Sequence, residues 1–133
     1  MSSLAIIGCG TMGEAILTGL LHANVFVPAQ IHATVRRPEP AQRLHETYGG
    51  TTSHDAAAAC TGADVILLAV KPQVLSTLLD DDRMRAATAG KLVISIAAGV
   101  RLTTLGTWLP EAKLIRAMPN TPCLVSRGMT VLA

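Results

Sequence analysis

The feature that most constrains the fold is the string Gly8-Cys9-Gly10-Thr11-Met12-Gly13. It stands between an apolar run, Leu4-Ala5-Ile6-Ile7, and a helix-patterned stretch over residues 14–23. A strand that turns at once into a helix needs a residue free to adopt an unusual backbone angle, which Gly8 supplies. Gly10 leaves bare backbone where a pyrophosphate can approach, and Gly13 lets the helix lie close against the strand. Unpaired N–H groups at the helix start, with the helix dipole behind them, favour an anion there. A glycine-rich turn occurs in many parallel α/β proteins, but the strand–glycines–helix setting points to a dinucleotide. Gly8, Cys9, Gly10, Thr11, Met12 and Gly13 are therefore candidate cofactor contacts.

Beyond this loop, apolar runs keep alternating with helical stretches. Strands are expected at residues 4–7, 30–35, 50–52, 64–70, 91–96 and 113–117, with a further apolar run at 128–133. Helices are expected at residues 13–23, 40–47, 55–61, 72–79 and 102–108. Ile16, Leu20 and Ala23 share one face of the first helix, and Val74, Leu75, Leu78 and Leu79 are the buried set of the fourth. Val65-Ile66-Leu67-Leu68-Ala69-Val70 is apolar without alternation, as in a strand covered on both faces. The run Asp80-Asp81-Asp82 reads as a solvated face or helix end. These elements predict an α/β, Rossmann-type doubly wound fold: a mainly parallel sheet with helices on both faces and right-handed crossovers. Residues 1–133 form one dinucleotide-binding domain, and ligands belong in the crevice at the carboxyl ends of the strands.

Composition excludes several other functions. Half of the 133 residues are apolar and 15% are charged, which suits a globular protein with a buried sheet and not a disordered chain. A formal charge of +2 is too small to imply nucleic acid or a membrane surface. Phe26, Tyr48 and Trp108 are the only aromatic residues, too few for base stacking. Cys9, Cys60 and Cys123 are odd in number and lack metal-ligand spacing, so they read as thiols in a reducing compartment. No metal site is expected. With no apolar signal core before the first strand and no membrane-length run, a cytoplasmic protein is expected.

The second strand bears on the choice of dinucleotide. An NAD-preferring domain commonly ends this strand with a carboxylate that bonds the ribose hydroxyls. Here Gln30-Ile31-His32-Ala33-Thr34-Val35 leads into Arg36-Arg37, and Glu39 lies beyond a proline. Two guanidinium groups match a 2′-phosphate, although paired arginines on a polar turn are frequent. Thr34, Arg36 and Arg37 join the candidate contacts, and NADPH is favoured over NADH.

Three later strings add specificity. They are Leu67-Leu68-Ala69-Val70-Lys71-Pro72-Gln73-Val74, Ser95-Ile96-Ala97-Ala98-Gly99-Val100, and Ile115-Arg116-Ala117-Met118-Pro119-Asn120-Thr121-Pro122 followed by Gly128-Met129-Thr130. Together with the glycine loop, in this order and spacing, they closely resemble the amino-terminal half of pyrroline-5-carboxylate reductase, the last enzyme of proline synthesis. The resemblance covers essentially the whole chain. It implies that Ala69, Val70, Lys71, Pro72, Ala97, Ala98 and Gly99 line an NADPH site, with Asn120 near the nicotinamide. Lys71 is implied as a structural or cofactor contact and not as a general base. A solvated lysine and a turn asparagine are the bland alternatives. No catalytic residue is assigned. One position departs from the family, which commonly has Asn after the Asp that starts the third helix. Here that pair is Asp55-Ala56, so the bond to the adenosine part is either missing or supplied by a neighbour such as His54.

The resemblance further implies reduction of 1-pyrroline-5-carboxylate to L-proline by hydride transfer. It places a helical domain after this one, which forms dimers or higher oligomers and completes the substrate site. That second domain is not in the 133 residues, so the isolated chain is expected to bind NADPH and to turn over slowly or not at all. Two other readings stay open: a stand-alone, non-catalytic NADP(H)-binding module, and a related NADP-dependent reductase of the F420-dependent or β-hydroxyacid dehydrogenase type.

Overall fold

Leu4–Ile7 (β1) consists of four apolar residues, and all four are buried, as a strand covered on both faces requires. A computed structural model of the chain describes residues 3–9, 11–35, 46, 49–97, 99–118 and 131–132. Around β1 it assembles β2 (Ile31–Thr34), β3 (Thr51–Ser53), β4 (Val65–Leu68), β5 (Leu92–Ser95), β6 (Lys113–Met118) and β7 (Val131–Leu132) into a seven-stranded sheet. The order is β3-β2-β1-β4-β5-β6-β7. Every pairing is parallel except the last, where β7 runs antiparallel to β6. This is the doubly wound arrangement expected from the sequence, with an antiparallel edge strand.

Register brings the carboxyl ends of the strands level. Ile7 stands opposite both Thr34 and Leu68, Leu68 opposite Ser95, and Ser95 opposite Arg116. Hydrogen bonds hold the chain for one residue more: Ala69 N–H donates to Ile7 O (2.8 Å) and Ile96 N–H to Leu68 O (3.2 Å). With Ser53 of β3 opposite Thr34, the connections after β1, β2, β3, β4 and β5 therefore leave the sheet along one edge.

Side-chain alternation divides the core between two faces. Leu4, Ile6, Ile31, Ala33 and Leu67 meet Leu17 of α1 (Thr11–His22) on one side. Ala5, Ile7, Ile66, Leu68 and Val93 meet four helices on the other: α2 (Ala56–Thr61), α3 (Pro72–Leu79), α4 (Asp82–Thr88) and α5 (Leu102–Trp108). Leu75 and Leu79 of α3 have no exposed surface, and burial of each contributes about 2 kcal/mol. Helix ends are closed by side chains. Asp55 accepts the Ala58 N–H at 3.1 Å to cap α2, and Pro72 occupies the first turn of α3, where its missing N–H costs nothing. The Lys91 ammonium donates to the Cys60 and Thr61 carbonyls at the far end of α2.

The structure corrects several sequence-based expectations. Ala23 is exposed because α1 ends at His22 and Asn24 turns the chain away at φ 56°. Leu17 takes the buried place instead. Gln30 belongs to a 3-10 turn before β2, where its side chain accepts the Val27 N–H at 2.9 Å. The acidic run ends one helix and starts another. Asp81 accepts the Arg83 N–H at 2.7 Å and so caps α4, a helix that the sequence pattern does not separate. The helix expected at residues 40–47 falls almost wholly outside the described residues. Among those described, no helix is long and apolar enough to cross a membrane.

Burial carries a pH consequence at His32, whose Nε2 lies 2.8 Å from the Ser53 hydroxyl between β2 and β3. Loss of water lowers its pKa below the usual 6.5, and the Asp55 charge opposes that shift only in part. As pH falls through about 6.5 the unfolded chain takes up this proton before the folded chain does. Stability should therefore decrease on acidification from pH 7 towards 5. Urea denaturation across that range checks this, and His32→Gln should flatten the slope.

Candidate dinucleotide site

Adjacent strands β1 and β4 send their chains to opposite faces of the sheet, the first into α1 and the second into α3. A crevice opens between such diverging connections. Gly8 takes φ +79° at its entrance. A Cβ there would stand 2.3 Å from Val70 Cγ1 and 3.1 Å from the Val70 backbone, so the two connections touch through a bare glycine. Gly13 performs the packing role expected of the third glycine. It is buried in the first turn of α1, and a Cβ on it would lie 3.2 Å from that of Ala69.

The loop is tied to the next strand. Gly8 and Cys9 N–H groups donate to the Thr34 carbonyl at 3.1 and 2.8 Å, and the Gly8 N–H also reaches the Thr34 hydroxyl oxygen at 3.2 Å. Cys9 is a buried thiol outside any disulfide, packed among the residues on the α1 face of the sheet. Its side chain fills a small internal space.

Beside this junction lies an open cleft of about 330 Å³. Gly8, Thr34 and Val70, all singled out from the sequence, line it together with Ile7 and Val35. Its opposite wall comes from His54, Ala56 and the α3 side chains Val74, Thr77 and Leu78, with Asp81 beyond them. Of this wall the sequence marks only His54 and Ala56 as bearing on a ligand. The signal for the α3 residues is the spacing of Val74, Thr77 and Leu78, which places them on one helical face just after a strand end, whereas Asp81 follows the end of that helix. Between His54 and Ala56 in sequence, Asp55 has its carboxyl held below the usual range by the Ala58 N–H and by an Arg83 contact to both oxygens at 3.2 and 3.1 Å.

The other expected contacts are distributed along the same edge. Thr11 and Met12 begin α1. Ala69 is half-buried after β4, and Lys71 and Pro72 are exposed at the start of α3. Ala97 is buried after β5, while Gly99 is exposed at φ +77°. Gly10, Arg36, Arg37, Ala98 and Asn120 lie outside the described residues. A backbone cradle that a Cβ would fill, next to a cleft walled mainly by apolar groups, fits a dinucleotide laid across the strand ends. Cys60 offers no chemistry here: burial pushes its thiol up to about 12, against a smaller opposing effect of Lys91. Among the described residues no three His, Cys, Asp or Glu side chains gather as a metal site.

Comparison with known proteins agrees with this geometry. Residues 3–99 match the profile of the family described as NADP oxidoreductase, coenzyme F420-dependent. A pyrroline-5-carboxylate reductase of Escherichia coli (strain K12) is 41% identical over 128 residues, covering 96% of this chain and 47% of that protein. The structure of a pyrroline-5-carboxylate reductase from Coxiella burnetii superposes with a TM-score of 0.90 at 34% identity, over 98% of this chain and 48% of that one. A pyrroline carboxylate reductase from Plasmodium falciparum, solved with NADP bound, gives 0.85 at 26% identity, over 99% and 47%. The chain spans about half the length of the relatives it matches.

The tight contact at Gly8 gives a direct test. Gly8→Ala introduces both the Val70 overlap and an unfavourable φ, which alone costs roughly 1–2 kcal/mol. Denaturant titration should show a loss of at least that size. A second change, Val70→Ala, should recover only part of it, because the backbone of residue 70 stays in place.

Proposed function

This chain belongs to the family of coenzyme F420-dependent NADP oxidoreductases, and from that premise we propose that it is the NADP(H)-binding half of a pyrroline-5-carboxylate reductase. The observation that carries the reading is the crevice between β1 and β4, where the glycine loop meets Val70 of the Val70-Lys71-Pro72 string. Residues 1–133 act as one dinucleotide-binding domain. The pyrophosphate lies over the first turn of α1. The adenosine end lies in the cleft walled by Val35, His54, Ala56 and Leu78. Arg36 and Arg37 follow β2 in sequence and hold the 2′-phosphate, which favours NADPH over NADH. Ala69, Ala97 and Gly99 keep the nicotinamide end of the edge low, and the family resemblance assigns Ala98 and Asn120 to the same end.

NADPH, when bound, would supply the hydride to the C=N carbon of 1-pyrroline-5-carboxylate, and the ring nitrogen gains one proton from water for each hydride taken up, giving proline and NADP+. The residues of this chain bind and orient. Small side chains at the strand ends let an imine approach closely, and fixed geometry of that kind provides much of the rate in a reaction between two bound partners. A clamp for the substrate carboxylate, and dimerisation, belong to the other half of the full-length protein.

Two measurements test this. Calorimetric titration should show NADPH binding by the 133-residue chain, and joint replacement of Arg36 and Arg37 by Ala should weaken NADPH at least tenfold with little change for NADH. Equal loss for both nucleotides would remove the arginines from the 2′-phosphate site. With 1-pyrroline-5-carboxylate added, the chain alone should oxidise NADPH very slowly, and the rate should rise when the missing half is supplied as a separate polypeptide. Rapid proline formation by the chain alone would refute the division of roles. Binding without any rescue would favour a non-catalytic module.

A further inference from the structure

Thr34 accepts more hydrogen bonds than the end of a strand needs. Its carbonyl takes the N–H groups of both Gly8 and Cys9, and its hydroxyl oxygen takes a second share of the Gly8 N–H. The residue is only 4% exposed, so water does not compete effectively for these contacts. The residue they hold is Gly8, which takes φ +79° against Val70. Both donated amides point into the protein, which leaves the first-turn N–H groups of α1 to meet a phosphate. Valine would occupy nearly the same volume but would return Gly8 to a single acceptor.

We propose that Thr34 is a positioning residue for dinucleotide binding, holding the glycine loop through its hydroxyl in the shape that receives the pyrophosphate. The proposal rests on reading the chain as an NADP(H)-binding half. It differs from a direct contact in a measurable way. A threonine that touched the 2′-phosphate would matter for NADPH alone, whereas a threonine acting through the loop matters for every ligand with a pyrophosphate.

The test titrates the 133-residue chain and its Thr34→Val and Thr34→Ser variants with NADPH, NADH and ADP-ribose, and follows amide hydrogen exchange at Gly8 and Cys9 without ligand. Thr34→Val should weaken all three ligands by a similar factor, about three- to tenfold. Thr34→Ser should bind within about twofold of the parent. Exchange at Gly8 should quicken in the valine variant while the amides of β1 and β4 stay protected. Unchanged binding by Thr34→Val, a loss confined to NADPH, or undiminished protection at Gly8 would each overturn the proposal. If the valine variant fails to fold, Thr34→Ala removes the same hydroxyl with less bulk and must give the same pattern. If the parent chain binds none of the three ligands, the NADP(H) reading fails, and the exchange data still decide whether Thr34 holds the loop.

Discussion

A Cβ on Gly8 would stand 2.3 Å from Val70 Cγ1, so β1 can leave the sheet beside β4 only as bare backbone. Much else depends on that approach. β1 and β4 are hydrogen-bonded neighbours in parallel register, yet their following helices cover opposite faces of the sheet. If the two connections were pushed apart, Ala69 would give up its bond to the Ile7 carbonyl and Gly13 its seat against Ala69. The crevice is the space left when two chains separate from a point where they are as close as backbone allows. Its location is thus a property of the sheet order, and its shape a property of one glycine.

The remainder of the structure makes that edge rigid. Parallel strands buried on both faces leave little freedom to slide, since a shift of one residue would turn Ile6 and Ile7 each to the wrong side. The helices beneath the cleft are joined by polar contacts at their ends: Asp55 of the α2 cap to Arg83 of α4, and Lys91 before β5 to the last carbonyls of α2. The Arg83–Asp55 pair is solvent-exposed and adds little stability by itself. Its value is geometric, because it fixes the start of α2, where His54 and Ala56 form one wall of the cleft.

Strong local patterns make most of this fold legible in the sequence. The unbroken apolar runs at β1 and β4 and the proline that opens α3 each allow one reading, and α3 and α5 lie within the expected bounds. Short or mixed signals fail. The alanine at position 23 looks like a continuation of the helix face, but a left-handed Asn24 ends the helix first. Three aspartates in a row read as a solvated face or helix end and do not reveal that a second helix starts at once, with the Asp81 carboxylate accepting the Arg83 N–H. Its fingerprint, Met84, Ala87 and Thr88 buried at helical spacing, is too short to outweigh a charge run. At the site, the sequence marks the residues whose backbone matters, such as Gly8, Gly13 and Val70. It does not mark Val74, Thr77 and Leu78, because an apolar helix face reads the same whether it covers core or lines a cleft.

That asymmetry bears on how the site meets a ligand. Glycine loses more conformational freedom on folding than any other residue, so a loop built on Gly8 is costly to order. Here the ordering is accomplished within the protein, through the hydrogen bonds that end on Thr34 and the ladder that continues past Ile7. A ligand bound at the first turn of α1, as proposed, would find a shape already fixed and give up little of its interaction energy to create it. The same bonds explain why the strand bearing Thr34 matters to a loop 26 residues away. Thr34 and Val35 are in turn tied to β3, where the Val35 N–H donates to the Ser53 carbonyl at 3.0 Å, so the loop after β1 and the end of β2 are set by one stretch of backbone.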